Sequence, residues 1–234
     1  MKCRNKVEHQ KTNQKEKAKI TSQDPFIMDD KTVITELNGV RILGTDFRRF
    51  QCGKEFNDSI IDFYYKLIQN RAEKNSATMP SVYAFSTYWW PIVSSQPFDK
   101  HIAGWTKKVD LSDFDILLFP INRNNHWSLV VVDQRVKVIE YFDPLKFQDC
   151  GATTVVRDYL VDERLYYTRN LISKTDWRII TFDKFHRQNN STDCGVYICA
   201  FAKYRTNGFT MQPAEIIDFR TKMIDEVCEG RILF

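Results

Sequence analysis

Three apolar runs stand almost back to back in the middle of the chain, at 115–121, 127–133 and 136–143. They read as β-strands, and their near-continuous hydrophobicity means that both faces must be covered. Asp133, Gln134 and Arg135 leave only a tight connection between the second and third runs, so these two form a hairpin. A fourth strand is expected at 178–182.

Helical patterns lie on either side. Asn57 and Asp58 cap a helix over 59–68, whose Ile60, Phe63, Tyr64, Leu67 and Ile68 recur at core-facing spacing. The segment 33–43 reads as extended with turns at Gly39 and Gly44, and 75–80 as a loop. An aromatic stretch, 82–90, is ended by Pro91, and 99–108 reads as a short helix. Further helices are expected at 153–166 and 213–227, with another opened by Cys194. Helices, then a sheet, then helices give an α+β fold, a central mixed sheet flanked by helices around one core. Residues 1–24 form a lysine-rich polar tail read as disordered, with Pro25 to Met28 as first contact with a single domain spanning 25–234.

The chain is 43% hydrophobic and 14% aromatic, ample for that core. Its 34 basic residues against 30 acidic ones describe a mixed, solvated surface, with no nucleic-acid partner implied. No apolar run approaches a membrane span, and no apolar stretch follows Met1 as in a secretory signal. Six cysteines without paired spacing do not suggest a disulfide framework, so a reducing compartment, nucleus or cytoplasm, is expected.

Chemistry concentrates in the stretch 188–201. A polar turn from Gln188 to Asp193 runs into an apolar helix opened by Cys194. Asp193 is a suitable N-cap, and the positive end of the helix dipole favours negative charge on the sulfur. Gly195 allows close approach of the backbone. Gln188, six residues before Cys194, can return an amide beside the sulfur as an oxyanion donor. A lone cysteine is more often a small buried hydrophobe. Cys199, among Val196, Ile198, Ala200 and Phe201, fits that description, but Cys194 with its polar flank does not.

A nucleophilic thiol needs a base and an orienting acid. Of the four histidines, His9 lies in the tail, and His101 and His186 have no carboxylate-bearing strand to pair with. His126 opens the second apolar run, and Asp143 closes the third. A hairpin brings those ends side by side, so Asp143 can hold one imidazole nitrogen while the other faces Cys194. A zinc site from His186, Cys194 and Cys199 is disfavoured, because positions five apart on a helix point different ways.

In this order, His126-Trp127, Tyr141-Phe142-Asp143-Pro144-Leu145 and Gln188 to Tyr197 resemble the ubiquitin-like-specific proteases, the Ulp/SENP or deSUMOylating cysteine proteases of the adenain-like clan. The likeness extends over roughly 30–230. It implies His126 as general base, Asp143 as orienting acid, Cys194 as nucleophile and Gln188 as oxyanion donor. It also implies Trp127 as the roof of a channel for a Gly-Gly tail, and Asn57 and Asp58 as the end of a modifier-contacting Trp-Leu-Asn-Asp motif. Here Glu55 and Phe56 replace the motif's Trp and Leu, so one channel wall is altered, with Phe56, Trp89 or Trp90 expected to fill it. The implied activity is cleavage after the C-terminal Gly-Gly of a ubiquitin-like modifier, SUMO first, by a monomer acting on protein conjugates without metal or organic cofactor. Alternatives are a same-clan enzyme acting on ubiquitin or another modifier, an acyl transferase, and a non-catalytic modifier-binding module.

Overall fold

Alternation of apolar side chains sorts the central runs onto two faces of one sheet, and this sets the architecture. The computed structural model describes residues 29–51, 53–185, 187–208 and 218–233. The tail 1–24, the contact at 25–28, His186 and the first residues of the expected last helix, 213–217, lie outside the described residues.

A hairpin of β1 (Val33–Leu37) and β2 (Val40–Leu43) leads into α1 (Gly44–Gln51) and α2 (Asp58–Lys74). Next come β3 (Val82–Ala84), α3 (Trp89–Val93) and α4 (Lys100–Ala103). The central strands are β4 (Ile116–Arg123), β5 (His126–Asp133) and β6 (Val138–Phe142). Then follow α5 (Ala152–Thr168), β7 (Arg178–Thr181), α6 (Cys194–Thr206) and α7 (Phe219–Glu229). The main sheet runs β3-β4-β5-β6-β7, antiparallel in the centre and parallel at both edges.

Ile116, Leu118, Leu129 and Val131 face one layer, where they meet residues of α1, α2, α6 and α7. Leu117, Phe119, Val130 and Val132 face the other, against α3, α4 and α5. Each fully buried aliphatic or Phe side chain contributes about 1.5–3 kcal/mol, so the two-faced strands anchor the fold. Helix α6 is buried from Cys194 through Ala202. A helix apolar on all sides belongs inside a protein. Here it lies between β5 and α2, which fixes where its first residue points.

Three local expectations change. The third apolar run starts its strand at Val138, because Val136 is exposed and Lys137 takes a left-handed φ of 55° in the turn. Pro91 does not end the aromatic stretch but sits in the first turn of α3, where a missing N–H costs nothing. Helix α1, unread in the sequence, is short. Asp46 in its first turn accepts from the Leu43 N–H at 2.9 Å and from Asn57 Nδ2 at 2.7 Å, tying α1 to the start of α2.

Candidate active site

The site forms where β5 begins and β6 has just ended. Asn124 and Asn125 turn the chain between β4 and β5 with φ of 51° and 61°. Asn tolerates this left-handed conformation better than other non-glycine residues. His126 is the next residue, paired with Arg123 across the turn. Strands β5 and β6 run antiparallel with Leu129 opposite Phe142, so Asp143, one step further, emerges at the sheet end that carries His126.

His126 Nε2 lies 2.9 Å from both carboxylate oxygens of Asp143. Two further donors hold that carboxylate: the Tyr141 hydroxyl at 3.1 Å and the Leu145 N–H at 2.8 Å. With Nε2 committed to Asp143, Nδ1 is the nitrogen left to face Cys194, which lies near enough to influence the imidazole. Burial works against the imidazolium, but the hydrogen bonds and charges of Asp143 and Cys194 outweigh it and raise His126 from 6.5 to about 9. A histidine in this setting carries its proton at neutral pH.

Cys194 is the first residue of α6 and only 1% exposed. Gly195 is required beside it, because a Cβ there would stand 2.8 Å from Phe56 Cβ. Cys199 is wholly buried, and burial, aided by the charge of Glu226, raises its thiol well above the ordinary range. Of the two, only Cys194 stands at the helix start beside His126.

Gln188 is buried, and its N–H donates to Pro144 O at 2.9 Å, stitching the polar turn to the Asp143 corner. Its Nε2 donates to Asn190 O at 2.8 Å. Asp193 occupies the N-cap position, but its φ of −94° and ψ of 3° are not those of a side-chain cap, and its carboxylate makes no cap bond. The carboxylate instead receives Asn190 Nδ2 at 2.7 Å and the guanidinium of Arg220.

The rim differs from expectation. Phe56 points inward, 2% exposed, with its ring 4.8 Å from that of Phe50. Its carbonyl accepts from Trp127 Nε1 at 2.9 Å. Trp127 is itself 2% exposed and packs in the first core layer, whereas Trp89, Trp90, Trp105 and Trp177 all pack on the opposite face of the sheet. Trp89 and Trp90 therefore cannot serve as a wall beside Trp127, whereas Phe56 shares its layer. The sheet itself separates the two tryptophans from Trp127. Glu55 is exposed, with its carbonyl held by Arg49 Nη1 at 2.8 Å. Asn57 caps α2 by accepting from Ile60 N at 3.3 Å, so its amide is already engaged, while Asp58 is exposed in the first turn.

Sequence reasoning passed over three residues at this site. Tyr141 could have been found, because it lies two residues before Asp143 on the same face of β6. Phe147 is 53% exposed with its ring edge-on to His126 at 5.6 Å. Nothing near it in sequence marks it. Arg220 comes from α7, far along the chain, and has no local signal.

A model of the Ulp1 protease family, C-terminal catalytic domain, matches residues 54–232. The chain belongs to that family. Among its Ulp1-family relatives, a sentrin-specific protease of Caenorhabditis elegans is 31% identical over 179 residues, covering 76% of this chain and 25% of that protein. Sentrin-specific protease 2 of Mus musculus is 30% identical over 198 residues, covering 83% of this chain and 33% of that protein. The chain thus spans a quarter to a third of the length of these relatives. The fold matches the yeast Ulp1 protease domain, solved in complex with the SUMO ortholog Smt3, with a TM-score of 0.72 at 23% identity. That match covers 88% of this chain and 91% of the other. A Ulp1-like SUMO protease catalytic domain of Chaetomium thermophilum gives a TM-score of 0.66 at 20% identity, over 88% and 86% of the two chains.

Proposed function

We propose that this chain is a cysteine isopeptidase that cleaves after the C-terminal Gly-Gly of a ubiquitin-like modifier, SUMO first among them. The observation that carries the reading is the His126–Asp143 pair bonded at the opening of the Cys194 helix, in a chain of the Ulp1 family. The sentrin-specific names of its relatives support SUMO as the modifier.

In this mechanism His126 holds the thiol proton, and the Cys194 sulfur attacks the glycine carbonyl carbon. The oxyanion is stabilised by the Gln188 amide and a backbone N–H at the start of α6, where the helix dipole is positive. His126 then gives its proton to the leaving lysine amine as the C–N bond breaks. Water, losing a proton to His126, hydrolyses the thioester and restores the thiol. Asp143 keeps the imidazole in the tautomer that serves the sulfur. Deconjugation and precursor processing share this chemistry. Free Cys194 suits the reducing nucleus or cytoplasm.

The test is covalent capture. Vinyl-sulfone derivatives of SUMO, ubiquitin and other modifiers are offered separately to the purified chain, with Cys194→Ala as control. Labelling by SUMO alone, lost in the variant, is expected. Labelling by ubiquitin instead would reassign the modifier, and no labelling by any of them would end the protease reading.

A further inference from the structure

We propose that Arg220 is a positioning residue for the oxyanion donor Gln188, an inference that rests on the isopeptidase reading above. Arg220 stands in the first turn of α7, and its side chain is 15% exposed. A guanidinium carries five N–H donors in a fixed plane, and here each has an acceptor. Nε donates to Asp193 Oδ1 at 3.1 Å, and Nη2 reaches the same oxygen and Thr192 O. Nη1 donates to Arg49 O at 2.8 Å and Lys54 O at 3.0 Å. The plane also lies 4.6 Å over the ring of Phe56. Lysine, with three donors on one point charge, cannot make this set.

From Arg220 the bonds run directly toward the site. Asp193 holds Asn190 through Oδ2, and the Asn190 side-chain oxygen takes the N–H groups of Thr192 at 2.9 Å and Asp193 at 3.0 Å. The Asn190 carbonyl accepts from Gln188 Nε2. The Gln188 amide is thereby fixed by Asn190 alone, Nε2 facing its carbonyl at 2.8 Å and its side-chain oxygen at 3.4 Å, while among the described residues Gln188 Oε1 is buried without a partner. Turning one of those N–H groups to an oxyanion therefore depends on where Asn190 is held. The Asp193 carboxylate, turned away from capping, is the joint between Arg220 and this loop. On its other side Arg220 grips the carbonyls of Arg49 and Lys54, the latter two residues before Phe56, whose own carbonyl holds Trp127. It therefore sets the oxyanion donor and the channel rim in one frame.

The test is a double-mutant cycle with the full chain on a fluorogenic Gly-Gly modifier substrate. Arg220→Met keeps the stem and removes the fork. A donor misplaced by about 1 Å costs on the order of 10²-fold, so kcat should fall roughly 10- to 100-fold, with Arg220→Lys in between. In a Gln188→Ala background the same change should cost no more than the roughly twofold scatter of independent sites. Asp193→Asn, nearly isosteric and without effect on the Phe56 stack, should show the same loss and the same non-additivity even if Arg220→Met fails to fold. Losses that multiply in both cycles, or wild-type kcat in Arg220→Met, would overturn the inference while the protease reading stands. A wild-type chain that neither turns over substrate nor is labelled at Cys194 removes both.

Discussion

The catalytic corner and the segment 53–57 meet the start of α6 at neighbouring residues, the first at Cys194 and the second at Gly195, yet they are built by different rules. In the corner, sheet register decides. His126 opens β5 and Asp143 follows β6, and an antiparallel ladder brings those positions to one sheet end. At the rim there is no ladder. The segment 53–57 joins two helices, and packing decides which way each side chain turns. Phe56 goes inward against Phe50, Gly195 and Arg220, and Glu55 goes out to water. Sequence patterns transmit a register faithfully, because its period is fixed. They transmit a loop side chain's direction only through contacts with residues remote in the chain.

The largest effect that sharpens this contrast is at the nucleophile. Cys194→Ala should abolish turnover while leaving the fold intact. Cys199→Ala should retain activity and lose stability by about 1 kcal/mol, the cost of a small core cavity. Kinetics and thermal melts on both variants decide it, and full activity in Cys194→Ala would move the chemistry elsewhere.

The contrast also explains what could be read from sequence. The α+β class, the strands and their hairpin followed from apolar runs that tertiary packing had no reason to override. The pairing of His126 with Asp143 followed from the hairpin alone. Helix α1 was missed because it is short and fixed by Asp46, whose partners flank it on both sides. Asp193 was read as a cap from its local neighbours, but its partner Arg220 lies on another helix. Trp89 and Trp90 looked available for the channel wall because they are aromatic. Their place on the opposite sheet face depends on the parity of β4 and β5, not on composition.

Next in size is the corner's acid. In a serine triad, the equivalent Asp→Asn change costs about 10⁴-fold in kcat, and a large loss is expected for Asp143→Asn. The pH profile carries more information. Asp143 and Cys194 raise His126 to about 9, and in the proposed mechanism its protonated form gives the leaving amine its proton. Activity should therefore fall on the alkaline side as pH passes about 9. Asp143→Asn removes one of the groups that raise this value, so the alkaline limb should move to lower pH. An unmoved limb would assign it to another group.

Gln188→Ala follows, with a kcat loss of roughly 10²–10³, typical of a removed oxyanion donor. KM should change little, because the donor acts on charge that develops only in the transition state. Steady-state kinetics separate the cases. A loss confined to KM would make Gln188 a ground-state contact and transfer it from the corner to the rim.

The smallest effect should appear at Glu55, where the resemblance drawn from the sequence implies a tryptophan. A flat indole at this position would offer the diglycine an apolar wall with little side-chain entropy to lose. A glutamate cannot, because burying an unpaired carboxylate is costly. The structure turns Glu55 outward accordingly and places no other tryptophan on the face that holds Trp127. Trp127 is covered in turn, its Nε1 tied to Phe56 O. Glu55→Trp should raise kcat/KM on a Gly-Gly modifier substrate by about two- to tenfold, the worth of an aromatic contact of ~0.5–1.5 kcal/mol. The gain comes from ordering the tail over Cys194, and it should be absent on a small ester that does not occupy the channel. Equal or lower kcat/KM in the variant would mean that the rim is closed by another surface. The exposed Phe147 beside His126 would then be the residue to truncate next.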